Sequence, residues 1–257
     1  MSTATVPLGI LLRDWRQRRR LSQLDLALEA GVSARNLSFL ETGRSKPSRE
    51  MVLHLSEQLE VPLRDRNRLL LAAGFAPAFE ERPIDAPEMA PVRDALEKIL
   101  TGHEPYPAAV VDRWWNLAAA NRSIAVFTDH VPADLLEPPV NVLRVSLHPD
   151  GMASRILNYG EWRAHLVDRL KRQVALTADE RLAALLDEIS GYPGETGEPH
   201  AGGEIAVPLR FDAGGHELTF FSTIATFGTA IDITLAELAI EAFFPADEAT
   251  AAYLRGN

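Results

Sequence analysis

Two serines, Ser22 and Ser33, with Gly31 between them, constrain this chain more than any other feature. Ser22 and Asp25 form an S-x-x-D start signal, a relative of the capping box in which the hydroxyl accepts from a first-turn N–H that has no helical partner. The helix opened there carries Leu24, Ala27 and Leu28 on one face and stops at Gly31, where a residue without Cβ can take a positive φ at no steric cost. Val32 leads into Ser33, a second N-cap, and a second short helix runs to about Glu41 with Leu37 and Leu40 inward. Gly43 ends it. Two short capped helices joined by a glycine turn are either a plain helical hairpin or a helix-turn-helix, and hydrophobic spacing does not separate the two.

The surroundings do. Ala27 is small enough for close helix approach, and the exit runs Gly43-Arg44-Ser45-Lys46-Pro47. A helix from about Leu8 to Arg18 precedes the pair. A fourth starts at the N-cap Ser48 and buries Val52, Leu55 and Leu59, and a fifth begins around Pro62 and ends at Ala73 before Gly74. Five helices in the first 75 residues make a complete small all-α domain. Those residues carry twelve Arg or Lys against eight Asp or Glu, a net +4, in a chain that is formally −10 overall. An acidic protein with one basic end is expected where only that end meets phosphate. Arg18-Arg19-Arg20 alone would be an ordinary solvated face; its place beside the capped helices gives it weight.

The run Ser22-Gln23, Leu26-Ala27, Ala30-Gly31-Val32-Ser33, Leu40-Glu41, Gly43 and Pro47 resembles the phage-repressor (XRE, Cro-type) helix-turn-helix, a lambda-repressor-like five-helix fold. In this geometry Gln23 points its amide and its backbone N–H toward the DNA backbone, and Ser33 through Phe39 face the groove floor. Arg35 is the candidate for direct readout, because a guanidinium bonds guanine O6 and N7 together. Asn36 and Ser38 add a base or phosphate contact, and Ala34 meets a thymine methyl. Phe39 either presses on a thymine methyl or completes the core. Arg44, Lys46 and Arg49 lie in and after the exit loop, where phosphate contacts fall. Proteins of this type bind as dimers, so a homodimer on a pseudo-palindromic operator in double-stranded DNA is expected.

At 257 residues the chain suits two domains, and 46% hydrophobic residues supply their cores. Cysteine is absent, which removes disulfides, thiolate metal sites and cysteine nucleophiles. No apolar run is long enough for a membrane span and no signal pattern opens the chain, so a cytoplasmic protein without membrane contact is expected. The seven histidines show no metal-ligand spacing, so neither metal nor cofactor is expected. There is no G-x-S-x-G, no H-E-x-x-H and no phosphate-binding glycine loop; Gly191 to Gly197 is a plain loop. Catalysis has no motif to rest on.

Residues 76–91 hold Pro77, Pro83, Pro87 and Pro91 among acidic residues and read as a stiff extended linker between domains 1–75 and 92–257. Beyond it Val92, Leu96 and Ile99 mark a helix ending at Gly102. A hairpin follows, Ala108–Val111 and Trp115–Ala119, then Asn121 opening a helix to Phe127. Ser154 to Val174 reads as one helix, and Thr177 with Glu180 as a capping box for another with Leu182, Leu185, Leu186 and Ile189 inward. Strands are expected at Ile205–Phe211, His216–Ala225 and Ala230–Leu235, with a turn at Asp212–Gly215, and a final helix over Ala236–Phe244 that resumes after Pro245. Two strands, several helices, then three antiparallel strands is the order of an α+β PAS-like domain with a five-stranded sheet.

Five phrases extend the resemblance over nearly the whole chain: Ser33 to Arg44, Leu69 to Gly74, Pro105-Tyr106-Pro107, His148 to Gly151 and Thr226 to Thr229. They are similar to the MmyB/MltR-like regulators, in which an XRE-type head is joined to a PAS-like ligand-binding domain. The resemblance implies a transcription factor holding a small apolar ligand, a fatty acid in the group. Asn36 departs from it, standing where a histidine is expected. Pockets are lined by apolar and aromatic groups with a few placed polar ones. Trp115, Tyr159, Trp162 and Phe220 are candidates for the first kind, and Asn121, Arg155, Asn158 and Arg163 for the second. An acyl carboxylate would want an arginine or amide N–H at one end of the cavity. The other reading is a DNA-binding protein whose second domain serves dimerisation or partner docking without a ligand.

Overall fold

The computed structural model describes residues 6–194, 197 and 207–256. It divides into two compact units, 1–82 with 229–236, and 83–228 with 237–257.

The first unit contains five helices in its leading segment: α1 (Leu8–Arg18), α2 (Gln23–Glu29), α3 (Ala34–Glu41), α4 (Arg49–Gln58) and α5 (Leu63–Ala72). Their core is Leu12, Trp15, Leu26, Leu37, Leu55, Leu59, Leu69 and Leu70. The capping box at Ser22 is complete: its hydroxyl accepts from the Asp25 N–H at 3.1 Å, and the Asp25 carboxylate accepts from the Ser22 N–H at 2.9 Å. Ser33 and Ser48 cap α3 and α4 in the same sense. Gly31 takes φ +63° at the turn, and the Val32 N–H reaches back to the Ala27 carbonyl at 2.9 Å. Leu24 and Leu28, expected on the inner face of α2, are exposed, and its buried residues are Leu26 and Ala27.

The stretch read as an extended linker is partly folded. Both ends of the Asn67 side chain hold it to α5: Oδ1 accepts from the N–H groups of Ala78 and Phe79 at 2.8 and 3.1 Å, and Nδ2 donates to the Phe79 carbonyl at 2.7 Å. A side-chain amide can satisfy backbone in this way, so the chain after Gly74 is fastened despite its prolines. Pro87–Met89 form a 3-10 turn with Met89 buried. Residues 229–236 complete the first unit, where the expected sequence division had only residues 1–75. Within this segment α11 (Ile233–Ala236) rests against α5, the Ile233 N–H donates to the Glu80 carbonyl at 2.8 Å, and Arg82 pairs with Asp232 at 3.0 Å.

The second unit is built on a five-stranded antiparallel sheet: β1 (Ala108–Val111), β2 (Leu117–Ala120), β3 (Leu209–Asp212), β4 (Glu217–Thr226) and β5 (Ala239–Pro245), in the order β2-β1-β5-β4-β3. One face packs on α6 (Ala90–Gly102) through Leu96, Leu100, Ala108, Val110, Leu238 and Ile240. The other faces α7 (Ala125–Thr128), α8 (Val142–Leu147), α9 (Tyr159–Thr177) and α10 (Glu180–Ser190), where Phe127 meets Phe211, Phe220 and Phe243 edge-to-face at 5.0–5.3 Å. Helix α12 (Glu248–Arg255) closes the described chain.

Three expected elements come out differently. The segment 230–235 is not the fifth strand, and 236–244 is not a helix. A helical turn occupies 233–236, and Ala239–Pro245 is the central strand, paired with β1 on one side and β4 on the other. Its alanines and glutamate favour helix locally, but two flanking strands satisfy its backbone and its side chains alternate between the two sheet faces. The long helix begins at Tyr159 rather than Ser154. Ile156 bridges to Phe211, the Leu157 N–H donates to the Arg210 carbonyl, and Asn158 bonds both the Arg210 N–H and the Pro208 carbonyl, so residues 156–158 serve as a rung on β3. The cap of α10 is Asp179, whose carboxylate accepts from Arg181 and Leu182, while Thr177 bonds Gln173 in the helix before it. The start of β3 expected at Ile205, and residues 195–196 of the Gly191–Gly197 loop, lie outside the described residues.

Asn121 is 7% exposed and takes the Ala108 N–H on its oxygen while donating to the carbonyls of Leu100 and Tyr106. It joins α6, the loop before β1 and the end of β2. Asn121→Ala leaves the buried Ala108 N–H without its side-chain acceptor and takes a donor from the Leu100 and Tyr106 carbonyls. The unfolding free energy of the sheet-containing unit is therefore expected to fall by about 1–3 kcal/mol, read by urea titration.

Candidate nucleic-acid interface and ligand cavity

The first site is organised from beneath by Glu41, the last residue of α3. Its carboxylate is 3% exposed as a residue and accepts from Arg16 Nε at 2.6 Å, Arg16 Nη2 at 2.9 Å and Gln23 Nε2 at 2.7 Å, with Arg13 Nε at 3.5 Å. Arg16 also donates to the Leu21 carbonyl at 2.8 Å. Burial pushes the Glu41 carboxyl up, but the hydrogen bonds from Arg16 and Gln23, with the charges of Arg16 and Arg13, outweigh it and hold the group below the usual range. Gly9 lets α1 approach the same point, since a Cβ there would stand 2.4 Å from the Glu41 carbonyl oxygen.

With its inner end so fixed, α3 turns a polar face outward. Ser33 and Arg35 are exposed, and Asn36, Ser38 and Phe39 are half-buried. Phe39 stands outside the core cluster. Its ring carries the Arg35 guanidinium 5.3 Å and the Arg44 guanidinium 5.9 Å from its centroid. Of its two expected roles, completing the core is therefore not the one the geometry supports. Arg35, Arg44 and Lys46 make no ion pair among the described residues, and Arg49 is exposed at the start of α4. Gln23 gives one of its amide N–H groups to Glu41, and Ala34 is half-buried beside the helical core.

The second unit holds a partly open cavity of about 290 Å³ between the inner sheet face and helices α7, α8 and α9. Its wall is mostly aliphatic and aromatic, including Ala109, Leu117, Ile124, Phe127, Leu143, Val145, Met152, Trp162, Leu166 and Phe243, with Thr128, Ser146 and Glu241 as its polar members. Glu241 is 8% exposed and receives Arg169 Nη1 on Oε1 at 3.4 Å. Arg169 lies 4.2 Å from the Trp115 ring centroid. Burial pushes the Glu241 carboxyl up, against the opposing pull of Arg169.

Of the eight residues expected to line the ligand pocket, Trp162 lines this cavity, with its indole N–H on Ser146 Oγ at 3.0 Å, while Asn158 and Tyr159 border a separate surface cleft. The other seven are engaged in holding the fold. Trp115 donates to Gln173, Tyr159 to the Leu147 carbonyl, and Arg155 to the Asp212 carbonyl. Arg163 bonds the carbonyls of Ser190 and Tyr192; Asn158 ties β3, Asn121 joins three segments, and Phe220 is 0% exposed behind Phe127. Glu241, Ser146 and Thr128 were missed. Reading 238–243 with a period of two instead of a helical one would have put Glu241 and Phe243 on the inner face together.

A basic helix-turn-helix unit and a sheet unit around an apolar cavity define a two-part regulator. Residues 12–65 match the helix-turn-helix family, and residues 92–256 match the MmyB-like transcription regulator ligand binding domain. The chain belongs to the MmyB-like transcription regulators: it is a helix-turn-helix transcription regulator with a ligand-binding domain. It is also 32% identical over 105 residues, 40% of this chain and 67% of the relative, to RghRB of Bacillus subtilis (strain 168), described as an uncharacterized HTH-type transcriptional regulator. Among the described residues no helix is long and apolar enough to cross a membrane, and no group of three His, Cys, Asp or Glu could hold a metal ion.

Removing the Glu41 charge leaves Arg16 buried without its partner. Glu41→Gln is expected to cost the helical unit about 3–5 kcal/mol, measured by thermal or urea unfolding. The native carboxyl titrates below its unfolded value. Its contribution is therefore complete above the ordinary glutamate range and lost as pH falls through the native value, so the variant's deficit should shrink on acidification.

Proposed function

We propose that this regulator binds a pseudo-palindromic operator as a homodimer, reads bases with α3, and is controlled by a small apolar, fatty-acid-like ligand in the cavity of its second unit. The observation that carries the DNA half is the Arg35–Phe39–Arg44 stack on the outer face of α3. A guanidinium held against an aromatic ring loses less freedom on binding, and Arg35 then presents a planar fork to guanine O6 and N7. Ser33, Asn36 and Ser38 flank it, and Arg44, Lys46 and Arg49 supply phosphate contacts. Gln23 reaches the backbone through its main-chain N–H at the start of α2. Half-sites would lie one turn, about 34 Å, apart.

The ligand half rests on the wall. An apolar space of about 290 Å³ has Thr128, Ser146 and Glu241 as its polar members. That is the lining expected of a small-molecule pocket, which favours a ligand over a purely docking role for this unit. For control, the ligand must bind one arrangement of the regulator more tightly than the other, because affinity shared equally between arrangements shifts nothing.

Arg35→Ala should weaken operator binding by about 1–3 kcal/mol and relax preference at one base pair in binding-site selection. Arg44→Ala should weaken all sequences alike and flatten the slope of log affinity against log salt by about one phosphate contact. Unchanged operator affinity in Arg35→Ala would remove α3 from the groove. Organic extraction of purified protein followed by mass spectrometry is expected to yield a stoichiometric apolar molecule.

A further inference from the structure

The arginine that an acyl carboxylate would want is not among the residues lining the cavity, and the wall offers hydroxyls in its place. Ser146, on α8, is 8% exposed, and its Oγ accepts the Trp162 indole N–H at 3.0 Å. With one lone pair so occupied, the hydroxyl hydrogen is left to donate elsewhere. It meets no acceptor among the described residues. A hydroxyl that accepts a hydrogen bond is also the stronger donor, because bonds in a chain polarise one another. A buried donor left unmatched costs free energy, so the wall at Ser146 calls for an acceptor atom on whatever fills the cavity.

Glu241, the acidic member of the wall, belongs to a different level of α9. Ser146 receives Trp162, whereas Glu241 receives Arg169. Both donors stand on that helix, seven positions apart, which is about 10 Å along its axis at about 1.5 Å per residue. Arg169 offsets the Glu241 charge, and the separation weakens what remains of it at Ser146. Because the cavity is partly open, a carboxylate held there need not be stripped of all its water. Leu166, between the two levels on the same helix, gives the intervening wall an apolar surface.

Resting on the reading of this cavity as the site of a fatty-acid-like ligand, we propose that Ser146 receives the ligand's carboxylate on its hydroxyl hydrogen. The acyl chain then lies along α9 over Leu166, toward the level of Arg169. Ser146 is thus the residue that recognises the head group. Trp162 is a positioning residue that acts through it, since the indole N–H fixes which way the hydroxyl hydrogen points.

Isothermal titration calorimetry of the delipidated full chain at pH 7 with decanoate and 1-decanol tests this. A hydrogen bond to a charged oxygen is worth more than one to a neutral oxygen. Ser146→Ala is therefore expected to weaken decanoate by at least about tenfold and 1-decanol by less, with a melting curve to check that the variant is folded. A second measurement needs no change at Ser146. In the unaltered protein the Trp162 side-chain N–H resonance, assigned with Trp162→Phe, should move downfield on adding decanoate and less on adding 1-decanol. A carboxylate on the Ser146 hydrogen makes Oγ a better acceptor for the indole. Equal losses for the two ligands, or unchanged decanoate affinity in folded Ser146→Ala, would overturn the assignment while leaving the cavity as a ligand site. An unmoved Trp162 resonance in decanoate-saturated protein would do the same. No decanoate binding by the unaltered protein would remove the fatty-acid reading itself, and this proposal with it.

Discussion

A carboxylate with no exposed side-chain surface must find all of its stabilisation inside the protein, and Glu41 finds it on two other helices. Arg16 of α1 meets it with two parallel N–H groups and Gln23 of α2 adds a third. A buried pair of this kind gains little over a well-packed apolar contact, because desolvation consumes most of the attraction. What it supplies is direction, since a planar guanidinium fork accepts a carboxylate along few approaches. The end of α3 is thereby tied to α1 and α2 at one point. Gly9 permits the backbone approach that brings α1 there. Which face of α3 is left outward, with Arg35 exposed on it, follows from that tie.

In the second unit the corresponding constraint is the alternation of β5 at the centre of the sheet. Leu238 and Ile240 turn toward α6, while Glu241 and Phe243 turn toward the cavity. One strand therefore contributes to the packing of both faces, so a displacement of its inner side chains is felt on the outer face as well. Phe127 fills one end of the inner space by meeting three phenylalanines at their edges, and the remaining volume is enclosed by aliphatic groups from α7 to α9.

The helical unit was legible because its signals are local. Ser22, Ser33, Ser48 and Gly31 each act within one helical turn, and all four do in the structure what their chemistry required. The Arg16–Glu41 pair spans 25 residues of sequence and so has no local signature, although a glutamate directly after the inward Leu37 and Leu40 was a clue. Strand β5 was misread because its helix-favouring residues outweighed a short period-two pattern, while its pairing partners lie far away in sequence. The pocket residues were misassigned for a related reason. Composition identifies aromatic and polar side chains suited to a cavity, but Trp115, Tyr159, Arg155 and Arg163 had backbone or side-chain acceptors waiting elsewhere in the fold. Only three-dimensional placement separates those from Trp162.

The eight residues Thr229–Ala236 bear on how such a regulator can be rearranged over generations. They belong with the helical unit, although some 150 codons separate Arg82 from the Asp232 it pairs with. The unit is thus encoded in two pieces of gene. A recombination event that exchanged everything after the prolines for a foreign sensor would deliver the head without its own patch. Arg82 would then lose an anion, and the surface of α5 that α11 rests on would be laid bare. Inheritance of the two halves together is the route that keeps this surface covered, and a successful chimaera would have to import a matching loop along with the new sensor.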